Sequence, residues 1–515
     1  VHREAANRAA SGPGHGTASP TIPTMTSAES PARAGDLLDS RRAGPVALRG
    51  GALRAAGYAL GILLSLVAVP LLVRHLGTAG YGRYVTVVAL MMIVAGVTEG
   101  GLNAIALRAY ASAGGGERAR LMRDALGARL ALTTAGAVAA IGFAAVAGYG
   151  SKLVLGTALA AVALVLQAVS SLLGVSLQVE LRFGWVAAAE LLQQFVSVVA
   201  IVVLVLVGAG IVPLLAAAIP ASAASLLLTL ALVRGRMPLR PAFELGVLWP
   251  LLRESVPWAA AVALNVVYFR LALVIMSVSA TAIETGYFAL SYRIIEVLIG
   301  IPAVAVSAAY PILLRSARED RERFVRAAGR MFELALVGGV LMVICIEVGA
   351  RFAVHVLAGH HADPAVAVLR IQGPAVAATF VSVACAFPLL TIGHYRRVLL
   401  VNLVAIVIVA SATVPLADAL GARGAAISAL SAELVLGALS AAMLARSGAR
   451  LPLGSVPLIV LAGAAATALG LVLPIGPILG ALAACGAYAV LLRLFGRFPP
   501  EARELLVARA RPLMR

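Results

Sequence analysis

The sequence predicts an all-α polytopic membrane protein: about fourteen spanning helices, forming two pseudo-symmetric six-helix lobes around a central cavity, followed by two further helices. Three observations predict it. Of 515 residues, 61% are hydrophobic and only 12% charged, where an ordinary soluble chain carries roughly a quarter charged. The mean hydropathy of +0.99 is spread along the chain in runs of spanning length. The basic residues fall between those runs with a strong bias to one side.

A spanning helix needs about 20 mainly apolar residues, because every backbone group in hydrocarbon must bond within its own segment. The runs that meet this are 55–73, 84–107, 129–148, 153–177, 186–207, 211–233, 257–279, 286–312, 332–357, 365–392, 398–417, 421–444, 454–473 and 475–495. The expected organisation is a disordered tail over 1–54, a first lobe over 55–233, a second over 257–444, two closing helices over 454–495 and a basic tail over 496–515. Residues 1–48 are rich in Ala, Ser, Thr, Pro and Gly and hold no apolar h-region, so they read as a polar tail and not as a signal peptide. With Val1 in first place, Met25 is the alternative start.

The chain has 41 basic residues against 23 acidic ones, a net charge of +18. In a soluble protein that would point to nucleic acid, but here the charges are interleaved with apolar spans and no nucleic-acid partner is expected. Placing the amino terminus in the cytoplasm puts 33 of the 41 in the tails, the inner loops and the adjoining helix ends, and only Arg74, Arg83, Lys152, Arg351, Arg370 and Arg423 outside. One missed or invented span would scramble this bias, so both termini are expected inside. No loop is long enough to fold as a catalytic domain. Cys345, Cys385 and Cys485 all lie in apolar runs and make neither a disulfide framework nor a metal motif.

An internal repeat supports two lobes. Gly82-Arg83-Tyr84 opens the second span and Gly286-Tyr287-Phe288 opens the eighth, 204 residues later, each heading inward. An even offset of six spans implies a parallel repeat, the architecture of transporters that rock for alternating access. Pro70, Pro220, Pro302, Pro374 and Pro388 interrupt spans and are either bending points or tolerated kinks.

Ionisable residues within the membrane are costly and are functional candidates by default. Arg270 lies roughly 3 Å from the midpoint of its span, Glu433 near a midpoint, Glu347 roughly 4 Å outward and Glu99 roughly 5 Å inward. Arg293 and Glu296 are three apart on one helical face and can neutralise each other. Arg270 has no acid three or four positions away on either side. Its partner is therefore an acid on another helix (Glu296, Glu347 or Glu99) or an anionic ligand such as a diphosphate, which a guanidinium binds bidentately. Glu99, Glu296, Glu347 and Glu433 are the candidates to carry a coupling Na⁺ or H⁺. Asn103, Asn265, Gln372 and Asn402 either line a polar path or bond neighbouring helices. His355, His360, His361 and Asp363 sit together near an outer helix end in a spacing that fits no standard ligand pattern, so no metal is expected.

Taken together, these segments resemble the polysaccharide-type flippases of the multidrug/oligosaccharidyl-lipid/polysaccharide exporter superfamily. The resemblance runs over roughly residues 45–450. It rests on Pro-Leu-Leu-Val-Arg-His-Leu-Gly-Thr-Ala-Gly-Tyr-Gly-Arg-Tyr at 70–84, on Gly286-Tyr287-Phe288 through Tyr292-Arg293 to Glu296, on Pro302 with Pro311, and on Gly421-Ala422-Arg423-Gly424-Ala425-Ala426 leading to Glu433. It implies a non-enzymatic flippase of the bacterial inner membrane that turns polyprenyl-diphosphate-linked oligosaccharide outward for surface polysaccharide such as lipopolysaccharide O-antigen. Arg270, Arg293 and Asn265 would bind the substrate in the central cavity. No cofactor is implied beyond a coupling ion, and the partners would be membrane lipid and the polymerase and glycosyltransferases of the same pathway. One departure stands out: relatives often carry an acid shortly after the Arg of span seven, but here Arg270-Leu271 leads to Ala272. The alternative is a cation-coupled antiporter of small molecules, which the surplus of core acids favours and the missing span-seven acid disfavours.

Overall fold

The computed structural model describes residues 43–498, apart from 100, 113–114, 181, 236–240 and 243–244. Contacts divide the chain into two units, Val1–Ala47 and Leu48–Arg515, and the helical body is the second. Among the described residues every regular element is a helix. The first half comprises α1 (Ala43–Glu99), α2 (Leu102–Ser112), α3 (Gly115–Val146), α4 (Ser151–Val179), α5 (Phe183–Leu206), α6 (Ile211–Ala216) and α7 (Ala218–Val233). The second comprises α8 (Leu245–Ser279), α9 (Ala282–Glu319), α10 (Arg321–Ala358), α11 (Pro364–Thr391), α12 (Tyr395–Leu420) and α13 (Ala422–Arg446), with α14 (Val456–Val472) and α15 (Pro477–Leu494) after it.

All fourteen expected runs fall on helix, and among the described residues eleven helical segments are long and apolar enough to cross a membrane. Three boundaries differ from expectation. Helix α1 begins at Ala43, inside the stretch expected to be tail, while residues 1–42 and 499–515 lie outside the described residues. The loop expected at 74–83 is compressed to a break at Gly77 (φ 69°, ψ 171°), where two helices meet inside α1, a positive-φ geometry that glycine takes without steric cost. The span expected to run unbroken to 107 is interrupted at Gly101 (φ 75°) before α2 resumes.

Small residues set the packing, as they do where lipid supplies no hydrophobic drive between helices. In the first half α4 packs on α7, α3 and α6, and α5 on α7. In the second, α11 is the centre, flanked by α13, α10 and α9, while α12 bridges α13 and α8. Helices α14 and α15 pair with each other and lie on α10. A Cβ on Gly339 would stand 2.8 Å from the Cα of Ala377, so α10 meets α11 nearly backbone to backbone there. Buried hydroxyls are satisfied locally, Thr86 donating to the Gly82 carbonyl at 2.9 Å and Thr98 to that of Val94 at 2.7 Å. Others join helices, as Thr413 with Ser428 at 2.9 Å. Large apolar side chains such as Val146, Leu206 and Val472 are exposed on the helix ends, as expected of surface that meets lipid.

The two halves touch at the face that the charge bias places outside. There Gly82 of α1 lies against α9: a Cβ on it would sit 2.7 Å from both the Ala282 carbonyl oxygen and the Gly286 nitrogen. A Cβ on Gly286 would in turn strike the Thr78 carbonyl. The two glycines of the sequence repeat thus face each other across the interface. On the same face the Tyr149 hydroxyl meets Ser277 at 2.6 Å, and Arg74 of α1 donates to the Val356 carbonyl of α10 at 3.3 Å. The α12–α13 turn is built just as tightly. Gly421 (φ 60°) lies against the Glu284 carboxylate, which accepts the Ala422 N–H at 2.6 Å, and Gly424 has the Leu416 carbonyl where a Cβ would go.

Candidate functional site

Helix α8 carries Arg270 into the body of the protein, 9% exposed. Its guanidinium bonds the Glu296 carboxylate of α9, and Arg293, three residues before Glu296, donates to the other carboxylate oxygen at 2.6 Å. The Arg270 guanidinium also lies 5.5 Å from the centroid of the Tyr292 ring, within cation–π range. Of the partners left open by the sequence, the structure selects Glu296. Two guanidiniums share one carboxylate, so the cluster keeps a net positive charge.

That cluster faces a cavity of about 170 Å³ between the halves. Its walls are α1 (Leu72, Tyr81, Tyr84, Val88), α5 (Gln194, Ser197, Ile201), α8 (Arg270) and α9 (Tyr292, Arg293, Glu296). Gln194 and Ser197 were not singled out by sequence, and Tyr292 entered only as part of the motif leading to Glu296. An amphipathic reading of α5 could have marked Gln194 and Ser197, whereas the ring of Tyr292 gains its role in the cavity only from Arg270 on another helix. Asn265, expected in this cavity, is exposed on α8 and is not among the residues that line it. It lies five residues before Arg270, about 500° around the helix at 100° per residue, which turns it well away from that side chain.

The remaining acids scatter. Glu347 of α10 lies 4.0 Å from the Arg370 guanidinium of α11, whose Nε donates to the Glu347 carbonyl at 3.2 Å. Glu99 is exposed and accepts the Asn103 amide at 2.9 Å, and the same amide donates to Ser171 at 2.8 Å. Glu433 is the deeply buried one, 6% exposed, with one carboxylate oxygen lacking any hydrogen-bond partner among the described residues. The Thr379 and Tyr268 hydroxyls act electrostatically on its carboxyl, the Thr379 proton itself being donated to the Ala375 carbonyl at 2.9 Å. A cavity of about 40 Å³ opens beside it, bounded by Tyr268, Tyr292, Gln372 and Thr379, enough for one water or one bare ion. Gln372 is held in place by Ser291 at 3.0 Å.

One buried charge escaped the sequence reading. Arg129 of α3 is 3% exposed, and its Nε and one terminal nitrogen have no hydrogen-bond partner among the described residues. It stands at the end of an expected span, next to arginines expected to be cytoplasmic, where charge counting treats every Arg as solvated.

A long all-helical membrane body and two halves meeting over a small cationic cavity define a multi-pass membrane protein with the fold of the multidrug/oligosaccharidyl-lipid/polysaccharide exporters. That fold is shared, at 13% identity and a TM-score of 0.71, with the lipid II flippase MurJ in an inward closed conformation, over 86% of this chain and 99% of that one. A multidrug resistance MATE family transporter of the same superfamily, inward-facing, aligns at a TM-score of 0.61 and 15% identity over 77% of this chain and 98% of its own. A superfamily transporter from Pyrococcus furiosus aligns at 0.56 and 15% over 80% and 96%. No curated protein matches by sequence. Residues 47–317 match the family described as polysaccharide biosynthesis protein, and the chain belongs to that family.

Proposed function

We propose that the protein is a flippase that carries polyprenyl-diphosphate-linked oligosaccharide from the inner to the outer face of the bacterial cytoplasmic membrane by alternating access, both termini lying inside. The observation that carries this reading is the Arg270–Glu296–Arg293 cluster facing the interlobe cavity. A diphosphate cannot cross hydrocarbon unaided, and two guanidiniums offer more donors than one carboxylate uses. The cavity of about 170 Å³ falls below the roughly 300–1,000 Å³ of ordinary ligand pockets. It suits a phosphate-sized head in a closed state, and the glycan would enter when the halves part. The polyprenyl tail stays in lipid throughout, so only the head needs shielding.

Coupling falls to Glu433. Glu296 is neutralised by two arginines, Glu347 sits beside Arg370 and Glu99 is exposed, whereas Glu433 has an unpartnered oxygen beside an ion-sized cavity. That same feature favours the second reading, a MATE-like cation-coupled antiporter of small molecules.

Deleting the gene and locating the undecaprenyl-linked glycan separates the two. Accumulation on the cytoplasmic face supports the flippase, and unchanged glycan with lost drug resistance supports the antiporter. Arg270→Ala should reproduce the deletion with the folded protein retained, because Arg293 still neutralises Glu296, while Arg270→Lys should keep partial export. Normal export by the Ala variant would remove Arg270 from the site. Glu433→Gln should abolish dependence on the coupling ion gradient.

A further inference from the structure

We infer that the turn between α10 and α11 is a binding site for a divalent transition-metal ion of the Zn²⁺ class, formed by His355, His360 and Asp363, and that its occupation braces the neighbouring contact between the two halves. The inference is independent of the transported substrate. Helix α10 ends at Ala358, and Gly359 (φ 74°) reverses the chain into a short 3₁₀ turn at His360–Ala362. This reversal brings His360 and Asp363 back beside His355, which lies one turn inside the helix end.

The Nε2 of His355 meets the Asp363 carboxylate, and the His355 and His360 ring centroids are 4.2 Å apart. One ligand atom from each of the three residues lies within 4.8 Å of the others. Ligands on a tetrahedral Zn²⁺ at about 2.0–2.2 Å from the ion stand roughly 3.3 Å from one another. Closure therefore asks for shifts of about 1.5 Å, and both His360 and Asp363 are exposed side chains in a turn. Two imidazoles and one carboxylate leave a further position for water, and imidazole suits Zn²⁺. The sequence showed these residues together but argued against a metal, because the spacing of 355, 360 and 363 is not that of ligands on one helix face. The glycine reversal supplies what helical spacing does not.

Arg351, one turn before His355, acts electrostatically on Asp363 and opposes a cation. Its exposure lets solvent screen that repulsion, so micromolar rather than nanomolar affinity is expected. The brace follows from position. Val356, next to His355, offers the carbonyl that receives Arg74 of α1 at 3.3 Å, so an ion fixing the last turn of α10 also fixes that acceptor.

The test is calorimetric titration of ZnCl₂ into the full-length, tag-free protein in detergent. One ion per chain is expected, with His360→Ala and Asp363→Ala each weakening binding at least tenfold and His361→Ala leaving it unchanged. Zn²⁺ should also slow amide exchange over residues 352–363 in the wild type and not in Asp363→Ala. The exposed positions make misfolding easy to detect, as the metal-free melting temperature should not move. No binding by the wild type, or equal binding by wild type and both variants, as the tail histidines or Cys345 and Cys485, whose sulfurs stand 3.7 Å apart, would give, overturns the site. Binding without slowed exchange overturns the brace.

Discussion

The two halves of the molecule agree in how they meet and disagree in how they treat a buried guanidinium. Each contributes one glycine of the Gly-x-aromatic repeat, Gly82 from α1 and Gly286 from α9, and these face each other with no space for a Cβ on either. In the second half Arg270 is bonded to Glu296, shares it with Arg293 and lies over Tyr292. In the first half Arg129 is more deeply buried, yet two of its nitrogens lack hydrogen-bond partners among the described residues, and Glu99, which accepts from Asn103, acts on it only electrostatically. Breaking a buried pair leaves an uncompensated charge and costs several kcal/mol, whereas a buried group with incomplete hydrogen bonding gives up less when an apolar side chain replaces it. The comparison teaches that the second half holds a charge site closed by direct hydrogen bonds and the first half a buried charge with incomplete ones.

The shared glycines give the largest expected effect. Gly286→Ala drives a methyl group into the Thr78 carbonyl, and Gly82→Ala drives one against the Ala282 carbonyl and the Gly286 nitrogen. Because the obstacles are backbone, no side chain can yield, and overpacking of about 1–3 kcal/mol or more is expected. Either variant should part the halves, read as a several-fold loss of cross-linking between cysteines placed at Tyr149 and Ser277. Gly349, with nothing within 4 Å of its would-be Cβ, is the control. There Ala should cost nothing and gain about 0.5–1 kcal/mol of helix stability. Equal behaviour of all three would break the claim that the halves meet through the repeat.

Glu296→Gln sharpens the other side of the comparison. It leaves two guanidiniums facing the cavity without their shared anion. If the cluster serves an anionic ligand, pyrophosphate binding should tighten several-fold even as the melting temperature falls. If the cluster is purely structural, stability falls and binding does not rise.

Much of this was legible in the sequence, for identifiable reasons. Helix placement follows from apolar length, which lipid enforces strictly, and every expected run lies on helix. The pairing of Arg293 with Glu296 followed from helical spacing, and Glu296 was one of three named partners for Arg270. The glycine repeat was visible as a pattern, but that its members touch is a property of two helices 204 residues apart. The turn between the first two spans was expected, but its contraction to Gly77 was hidden because helix ends and a short loop share the same composition. Arg129 was hidden because burial at a span end depends on what α1 and α2 bring over it.

Arg129→Met is expected to raise the melting temperature by a few degrees, because the guanidinium it removes is buried with two nitrogens lacking hydrogen bonds. Arg270→Met should lower it instead. A fall in both would mean that Arg129 is as well partnered as Arg270, and the contrast between the halves would collapse.

The smallest effect belongs to Asn265→Ala. The sequence places this residue in the substrate cavity, five positions before Arg270, but it is exposed and lines no wall of that cavity. Exposed substitutions away from a packed or bonded feature stay within about 0.5 kcal/mol, so stability and transport should both match the wild type. A transport defect without a change in stability would show that Asn265 joins the pathway in another state of the cycle. In that state α8 would have to turn by more than a third of a revolution relative to α1 and α5, and the Arg270–Glu296 bond could not survive the turn unless α9 moved with it. The same variant therefore also reports whether the charge cluster travels as one rigid piece.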